Sequence, residues 1–355
     1  MAERNKRLGE AVEDYLRHRQ ARFAPTTVQQ EGYVLRRFVA CIGDVQLRHL
    51  RAERVGDWFY GAGGLRSDHV TRDGVHRSPI KGSTHNYYRT RLGSFFRFAQ
   101  QRGWLRDDPL AEVAPMKVER RQRQQPPPET LLRMLEVANN PRDRAYLALL
   151  VNTALRANEV VRIRVGDVDL DGLSLYVVIS KTHEEDALPI TSDLEAELHR
   201  WLTIYRHELG RPLHVDDHLF PARSASVYRG GPDDDGVRPR RPTSWVPGRP
   251  VGHTERIVQD SLRALGLPTK DEGSHTIRRA VARAFFDDLT SEAGYDAALR
   301  TVAALLHHKS VATSEHYLGL SSERERRDKH LRGQPFLSAM GSTGAVIPLR
   351  RSAER

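Results

Sequence analysis

Cysteine is nearly absent: Cys41 is the only one among 355 residues. A single thiol excludes an internal disulfide and any cysteine-based zinc site, so a reducing cytosol is the default compartment. Cys41 sits in the apolar run FVACI and is expected in the core. Long apolar runs are missing as well. No stretch approaches the roughly 18 residues of a membrane span, and the N-terminus MAERNKRLGE carries charge with no apolar region behind it. A span and a secretory signal are therefore excluded, and a cytoplasmic protein is expected. Acid is absent over a long interval. Between Gly74 and Arg106 the only charged residues are Arg77, Lys81, Arg89, Arg91, Arg97, Arg102 and Arg106. A stretch of one sign without i,i+4 partners makes a poor solvated face unless something negative covers it.

The composition is otherwise that of an ordinary globular chain, with 39% hydrophobic and 29% charged residues, and its length allows two domains with real cores. Net charge is +10 and unevenly placed. Residues 1–125 hold 24 Lys plus Arg against 14 Asp plus Glu, while the remainder balances at 32 against 32. The excess points to a polyanion gripped by the N-terminal third through counterion release. Lys81, Arg89, Arg91 and Arg97, with Arg120, Arg121 and Arg123 of the following KVERRQRQQPPPE segment, are the candidate DNA contacts.

Five short elements follow in order: TALR ending at Arg156, then Lys181, HTIR over 275–278, His308 and Tyr317. Together they suit a phosphodiester undergoing in-line attack. Charge spreads over the non-bridging oxygens, and planar guanidinium groups such as Arg156 and Arg278 match that geometry. A phenol with a free pKa of about 10 is a weak nucleophile, so Tyr317 needs positive charge and a proton acceptor nearby. His275 and His308 are both candidates for that help. The leaving 5′ oxygen needs a proton, which Lys181 can supply as general acid. A phosphotyrosine stores the bond energy for rejoining, so no cofactor and no metal is implied.

At these residues the chain resembles the tyrosine recombinase, or phage integrase, family, which includes lambda integrase, Cre and the Xer recombinases. NTALRANEVVRIRVGDVDL, from Asn152 to Leu170, is similar to the family's first box and adds Glu159 and Asp167 as supporting acids. VVISKTHEEDALPIT places Lys181 in the position of the family's hairpin lysine, and HTIRR resembles the second box with His275 and Arg278. VAALLHHKSVATSEHYLGL resembles the closing segment, where the nucleophilic tyrosine lies nine residues after the histidine; that step runs from His308 to Tyr317. Two positions depart. Ala154 and His307 stand where the family usually has glycine.

The resemblance implies a mainly α, two-domain fold: a helical, SAM-like core-binding domain over 1–115, a basic Pro-rich linker over 116–128, an α-rich catalytic domain with a small β-hairpin sheet over 129–320, and a tail over 321–355. Together they would form a C-shaped clamp on DNA. The reading expects helices from Leu8, after Pro25, near Arg51 to Tyr60, and a long one carrying Tyr87, Tyr88, Leu92, Phe95, Phe96 and Phe98 as a core stripe. Gly61 to Ser78 is expected as a loop, as is the Gly, Pro and charge-rich stretch from Ala222 to Gly252. With the first helix beginning near residue 8, no arm-binding domain is expected before it.

The implied function is site-specific strand cleavage and rejoining through a 3′-phosphotyrosyl intermediate. Implied partners are duplex DNA with inverted-repeat core sites, a homo-tetramer whose segment Leu331 to Met340 packs in trans, and in some systems an accessory directionality protein; nucleoid association follows. A type IB topoisomerase and a non-catalytic DNA-binding regulator are the alternatives. The 39-residue interval from Arg278 to Tyr317 leaves no room for the topoisomerase's long helical insertion, and the filled catalytic positions disfavour the regulator.

Overall fold

The computed structural model describes residues 5–61, 64–71, 74–118, 125–179, 184–224 and 244–320, with backbone alone for 66–71 and 74–79. It divides into two compact units, Met1–Arg121 and Gln122–Arg355, so the division falls inside the segment expected as a linker.

Among the described residues the first unit has four α-helices and a hairpin: α1 (Leu8–Gln20), α2 (Pro25–Ile42), α3 (Ala52–Tyr60), β1 (Arg66–Thr71), β2 (Gly74–Pro79) and α4 (Gly82–Gln101). Pro25 opens α2 at the first helical position, where its missing N–H costs nothing. The expected aromatic stripe is buried at Tyr88, Phe95, Phe96 and Phe98, whereas Tyr87 is exposed. Phe38 and Trp58 meet edge to face at 5.0 Å within the same core. Two expectations are corrected here. Gly61 to Ser78 is largely an antiparallel hairpin, with Thr71 opposite Gly74. Its signal was β-branched Val70, Thr71 and Val75 around an Asp-Gly pair, masked by the charge between them. Cys41 is exposed, because the inward stripe of α2 runs through 31, 34, 35, 38 and 42 and leaves position 41 on its flank.

The second unit begins with α5 (Pro128–Glu136), α6 (Pro141–Thr153) and the single turn α7 (Ala157–Val160). Asn140 caps α6, its side chain accepting from the Asp143 amide at 3.0 Å. From Ala145 to Leu150 every residue of α6 is buried, so this helix forms the unit's central post. Beside it lies a three-stranded antiparallel sheet of β3 (Val168–Asp169), β4 (Ser174–Ile179) and β5 (Glu184–Pro189). Leu175, Val177 and Ile179 of β4 face the core, and Tyr176 and Val178 face solvent.

After α8 (Ser192–Leu209), β6 (Pro221–Arg223) pairs with β7 (Trp245–Pro250). The stretch from Ala222 to Gly252 is thus ordered into strand at both ends, which corrects the expectation of a plain loop; residues 225–243 lie outside the described residues. Trp201 of α8 stacks on Tyr205 at 5.0 Å and meets Trp245 edge-on at 5.3 Å, seaming α8 to β7. Among the described residues four more helices follow: α9 (Thr254–Ala264), α10 (Ser274–Ala293), α11 (Tyr295–Leu305) and α12 (Val311–Leu318). The last three close over Ala154, Phe286, Leu299, Val302, Leu306 and Leu318. This cluster sets α12 against α10. The tail, including Leu331 to Met340, lies outside the described residues.

Candidate active site

Tyr317 lies near the C-terminal end of α12 and is half-buried. Its hydroxyl donates to the His275 carbonyl at 3.3 Å, and its ring meets that of His308 edge to face, centroids 5.5 Å apart. His308 is steadied in turn by a 2.9 Å hydrogen bond between Nδ1 and the hydroxyl of buried Ser314. Burial pushes the Tyr317 phenol up from its ordinary value, and the guanidinium groups of Arg278, Arg279 and Arg156 pull the other way. The nucleophile candidate therefore rests as a neutral phenol among three cations.

Arg278 is only 1% exposed. Its Nη1 donates to the Ala154 carbonyl and its Nη2 to the Leu306 carbonyl at 2.5 Å, so it satisfies carbonyls at the ends of α6 and α11. Burial, and the neighbouring charge of Arg156, bring its pKa down to about 10, which leaves it charged at neutral pH. Its guanidinium also reaches the Tyr317 hydroxyl, and it has N–H donors beyond these for a bound acceptor.

Arg156 stands at the cap position of α7. Glu159, 2% exposed, accepts from the Arg156 amide at 2.8 Å and from its Nη1 at 3.1 Å. One buried carboxylate thus fixes both backbone and side chain of the first arginine.

His275, in the first turn of α10, is exposed. Asp167 is engaged locally: its carboxylate accepts from the Arg164 amide at 2.7 Å in the 3-10 turn before β3. Lys181 lies outside the described residues, between β4 and β5.

The two departures from the family's glycines share a conformation. Ala154 has φ 51° and His307 has φ 49°, both in the left-handed region where a side chain costs about 1–2 kcal/mol. Each ends a helix, α6 or α11, and each adjoins a carbonyl or residue of the site. His307 also reaches Asp186 of β5 at 2.8 Å, linking the lysine hairpin to the corner before α12. Sequence reasoning missed that contact, and it missed Arg279, whose guanidinium lies 5.8 Å from the Tyr317 ring centroid. The only sequence signal for Arg279 was the doubled arginine of HTIRR.

In the first unit Lys81 and Arg97 are exposed. Arg89 donates to the Val113 carbonyl at 2.5 Å, and Arg91 reaches the fully buried Glu31 at 3.1 Å, beside Arg19 at 2.7 Å. The acid missing from the local sequence is supplied by α2. Arg120, Arg121 and Arg123 lie outside the described residues. Among the described residues no cluster of His, Cys, Asp or Glu could hold a metal, and no helix is long and apolar enough to cross a membrane.

Residues 127–324 match the model of the phage integrase family. Among relatives, the chain is 28% identical over 236 residues to tyrosine recombinase XerC of Roseiflexus castenholzii, covering 65% of this chain and 66% of that one. It is 25% identical over 234 residues to XerC of Xanthomonas axonopodis pv. citri, covering 64% of each. The chain therefore spans just under two thirds of the length of these relatives. Its fold is similar to that of lambda integrase in a structure described as a dimer bound to a COC′ core site, with TM-score 0.59 and 16% identity over 88% of this chain and 95% of that one. The Tn1549 transposon integrase in complex with a circular intermediate DNA is similar at TM-score 0.61 and 14% identity, over 92% and 99%. With the boxes around Arg156, Arg278 and Tyr317 all inside the matched region, the chain belongs to the phage integrase family.

Proposed function

We propose that this chain is a site-specific DNA strand transferase that cleaves and rejoins through a 3′-phosphotyrosyl bond at Tyr317. The observation that carries the reading is a phenol packed against His308 with Arg156, Arg278 and Arg279 as its charged neighbours. The Tyr317 oxygen attacks phosphorus, the bond to the 5′ oxygen breaks, and the phenol proton passes to a histidine, His275 or His308. Arg156 and the unused donors of Arg278 hold the charge that grows on the non-bridging oxygens. Lys181 protonates the leaving 5′ oxygen, and Asp167 supports the first box. Reversal with a different 5′ hydroxyl exchanges strands.

The substrate is duplex DNA carrying inverted-repeat core sites, held by Lys81 and Arg97 and by Arg120, Arg121 and Arg123; Arg89 and Arg91, expected to share that role, are bonded instead to the Val113 carbonyl and to Glu31. Four protomers assemble on it, with Leu331 to Met340 packing in trans and an accessory protein setting direction where one is used. The work is done on cytoplasmic, nucleoid-associated DNA. The similarity to integrases whose structures are described as DNA-bound dimers and as a tetramer on a Holliday junction supports this reading.

A nicked duplex that traps the covalent adduct tests it. The expected result is an adduct on one DNA sequence, lost in Tyr317→Phe. Adducts on arbitrary supercoiled DNA would favour a topoisomerase, and none on any DNA would favour a non-catalytic binder.

A further inference from the structure

Arg279 is a buried charge whose position the reaction above does not use. It is 8% exposed, follows Arg278 on α10, and points about 100° around that helix from it. Arg278 spends two donors on the Ala154 and Leu306 carbonyls, but among the described residues Arg279 Nη1 is buried with no hydrogen-bond partner. An unmatched guanidinium donor in a protein interior is costly, so its retention beside the nucleophile calls for a reason.

The hydrogen bond of Tyr317 supplies one. The phenol donates to the His275 carbonyl. A phenolate has no proton to donate, so its oxygen would face a carbonyl oxygen and be repelled. Ionisation must therefore release Tyr317 from His275 and turn its oxygen toward positive charge. The groups facing it are Arg156 from the turn before α7, His275, Arg278 and Arg279 from α10, and His308 from the corner before α12. Of the α10 arginines, Arg278 is tied to two carbonyls and also reaches the Tyr317 hydroxyl, while Arg279 Nη1 has no partner among the described residues and its guanidinium lies 5.8 Å from the centroid of the Tyr317 ring.

We propose that Arg279 is a positioning residue for the nucleophile: it holds the Tyr317 ring at rest and, beside Arg278, becomes a second counter-ion of the phenolate once the His275 carbonyl is released. The Tyr317–His275 bond then marks the parked, neutral state, and contact with Arg279 marks the armed one. The inference rests on Tyr317 acting as the nucleophile, as proposed above.

The test compares wild type with Arg279→Met and Arg279→Lys in single-turnover adduct formation on the nicked duplex across pH, alongside DNA affinity and thermal unfolding. Arg279→Met keeps bulk and removes charge. Its adduct rate is expected to fall about tenfold to a hundredfold at neutral pH, with the deficit narrowing as alkali ionises the phenol directly. DNA affinity should stay within about twofold, and unfolding should be unchanged or shifted upward, since an unmatched buried charge is gone. Arg279→Lys should recover most of the rate. The proposal is overturned if Arg279→Met matches wild type at every pH, or if its deficit is the same at every pH and Arg279→Lys shares it. A wild-type protein that forms no adduct at all would instead sink the strand-transferase reading.

Discussion

Glu159→Ala should uncouple the first arginine from the site. The Glu159 side chain is fully buried and accepts twice from Arg156, at the amide and at Nη1. Losing a charged acceptor from a backbone N–H costs about 1.5–3 kcal/mol. Breaking a fully buried ion pair costs about 3–5 kcal/mol, but the Arg156 side chain is 18% exposed and can turn to water, so about 1–2 kcal/mol is the fair share here. The sum is about 2.5–5 kcal/mol for alanine. Glu159→Gln keeps an acceptor for the amide and loses only the charge, which makes it about 1–2 kcal/mol.

Urea denaturation measures both, and the tryptophans allow the second unit to be followed alone. Trp58 and Trp104 lie in the first unit and Trp201 and Trp245 in the second, so a Trp58→Phe, Trp104→Phe background reports Gln122–Arg355. The expected order of midpoints is wild type, then Gln, then Ala, at unchanged slope. In adduct assays Glu159→Ala should be slower by about tenfold to a hundredfold, because Arg156 no longer has a fixed orientation in the transition state. Equal midpoints for Gln and Ala, or no shift for either, would refute the claim that one carboxylate fixes both backbone and side chain.

Three further outcomes follow from the same structure. Ala154→Gly relieves about 1–2 kcal/mol of left-handed strain but loses a buried methyl worth about 0.8 kcal/mol and adds chain entropy, so thermal unfolding should move little; Ala154→Val, β-branched at the same φ, should cost at least about 2 kcal/mol. Arg91→Ala should destabilise the first unit by stranding part of the Glu31 charge, whereas Arg97→Ala should leave stability alone and lower the salt slope of DNA binding by about one. Burial raises the phenols of Tyr15, to about 12, and of Tyr146 and Tyr205. The folded state then holds these protons more tightly than the unfolded chain does, so their stabilisation is complete below about pH 10 and is lost as pH rises through the folded values. Tyrosine absorbance should show delayed ionisation that coincides with alkaline unfolding.

The local sequence carried much of the site because its chemistry is written in short segments. The step from His308 to Tyr317 is spanned by a single corner and α12, and Arg156 with Glu159 by one capped turn, so spacing alone brings each pair together. The helices of the first unit were legible for a similar reason: Phe95, Phe96 and Phe98 repeat at helical spacing, and Pro25 marks a start. What escaped was tertiary. Nothing local distinguishes Arg278, clamping two helix ends, from Arg279 against the tyrosine. Nothing near Arg91 announces Glu31 of another helix. The left-handed φ at Ala154 and His307 hides because the residues there are not glycine, and Cys41 misleads because its apolar neighbours, not itself, face inward.

Strand exchange as proposed requires that Tyr317 itself bonds to DNA. Trapping the adduct on a nicked duplex, digesting it and mapping the DNA-linked peptide by mass spectrometry tests this directly. A single modified peptide containing Tyr317, joined to a 3′ phosphate and absent in Tyr317→Phe, is expected. A linkage at another residue, or an undiminished adduct in Tyr317→Phe, would contradict it.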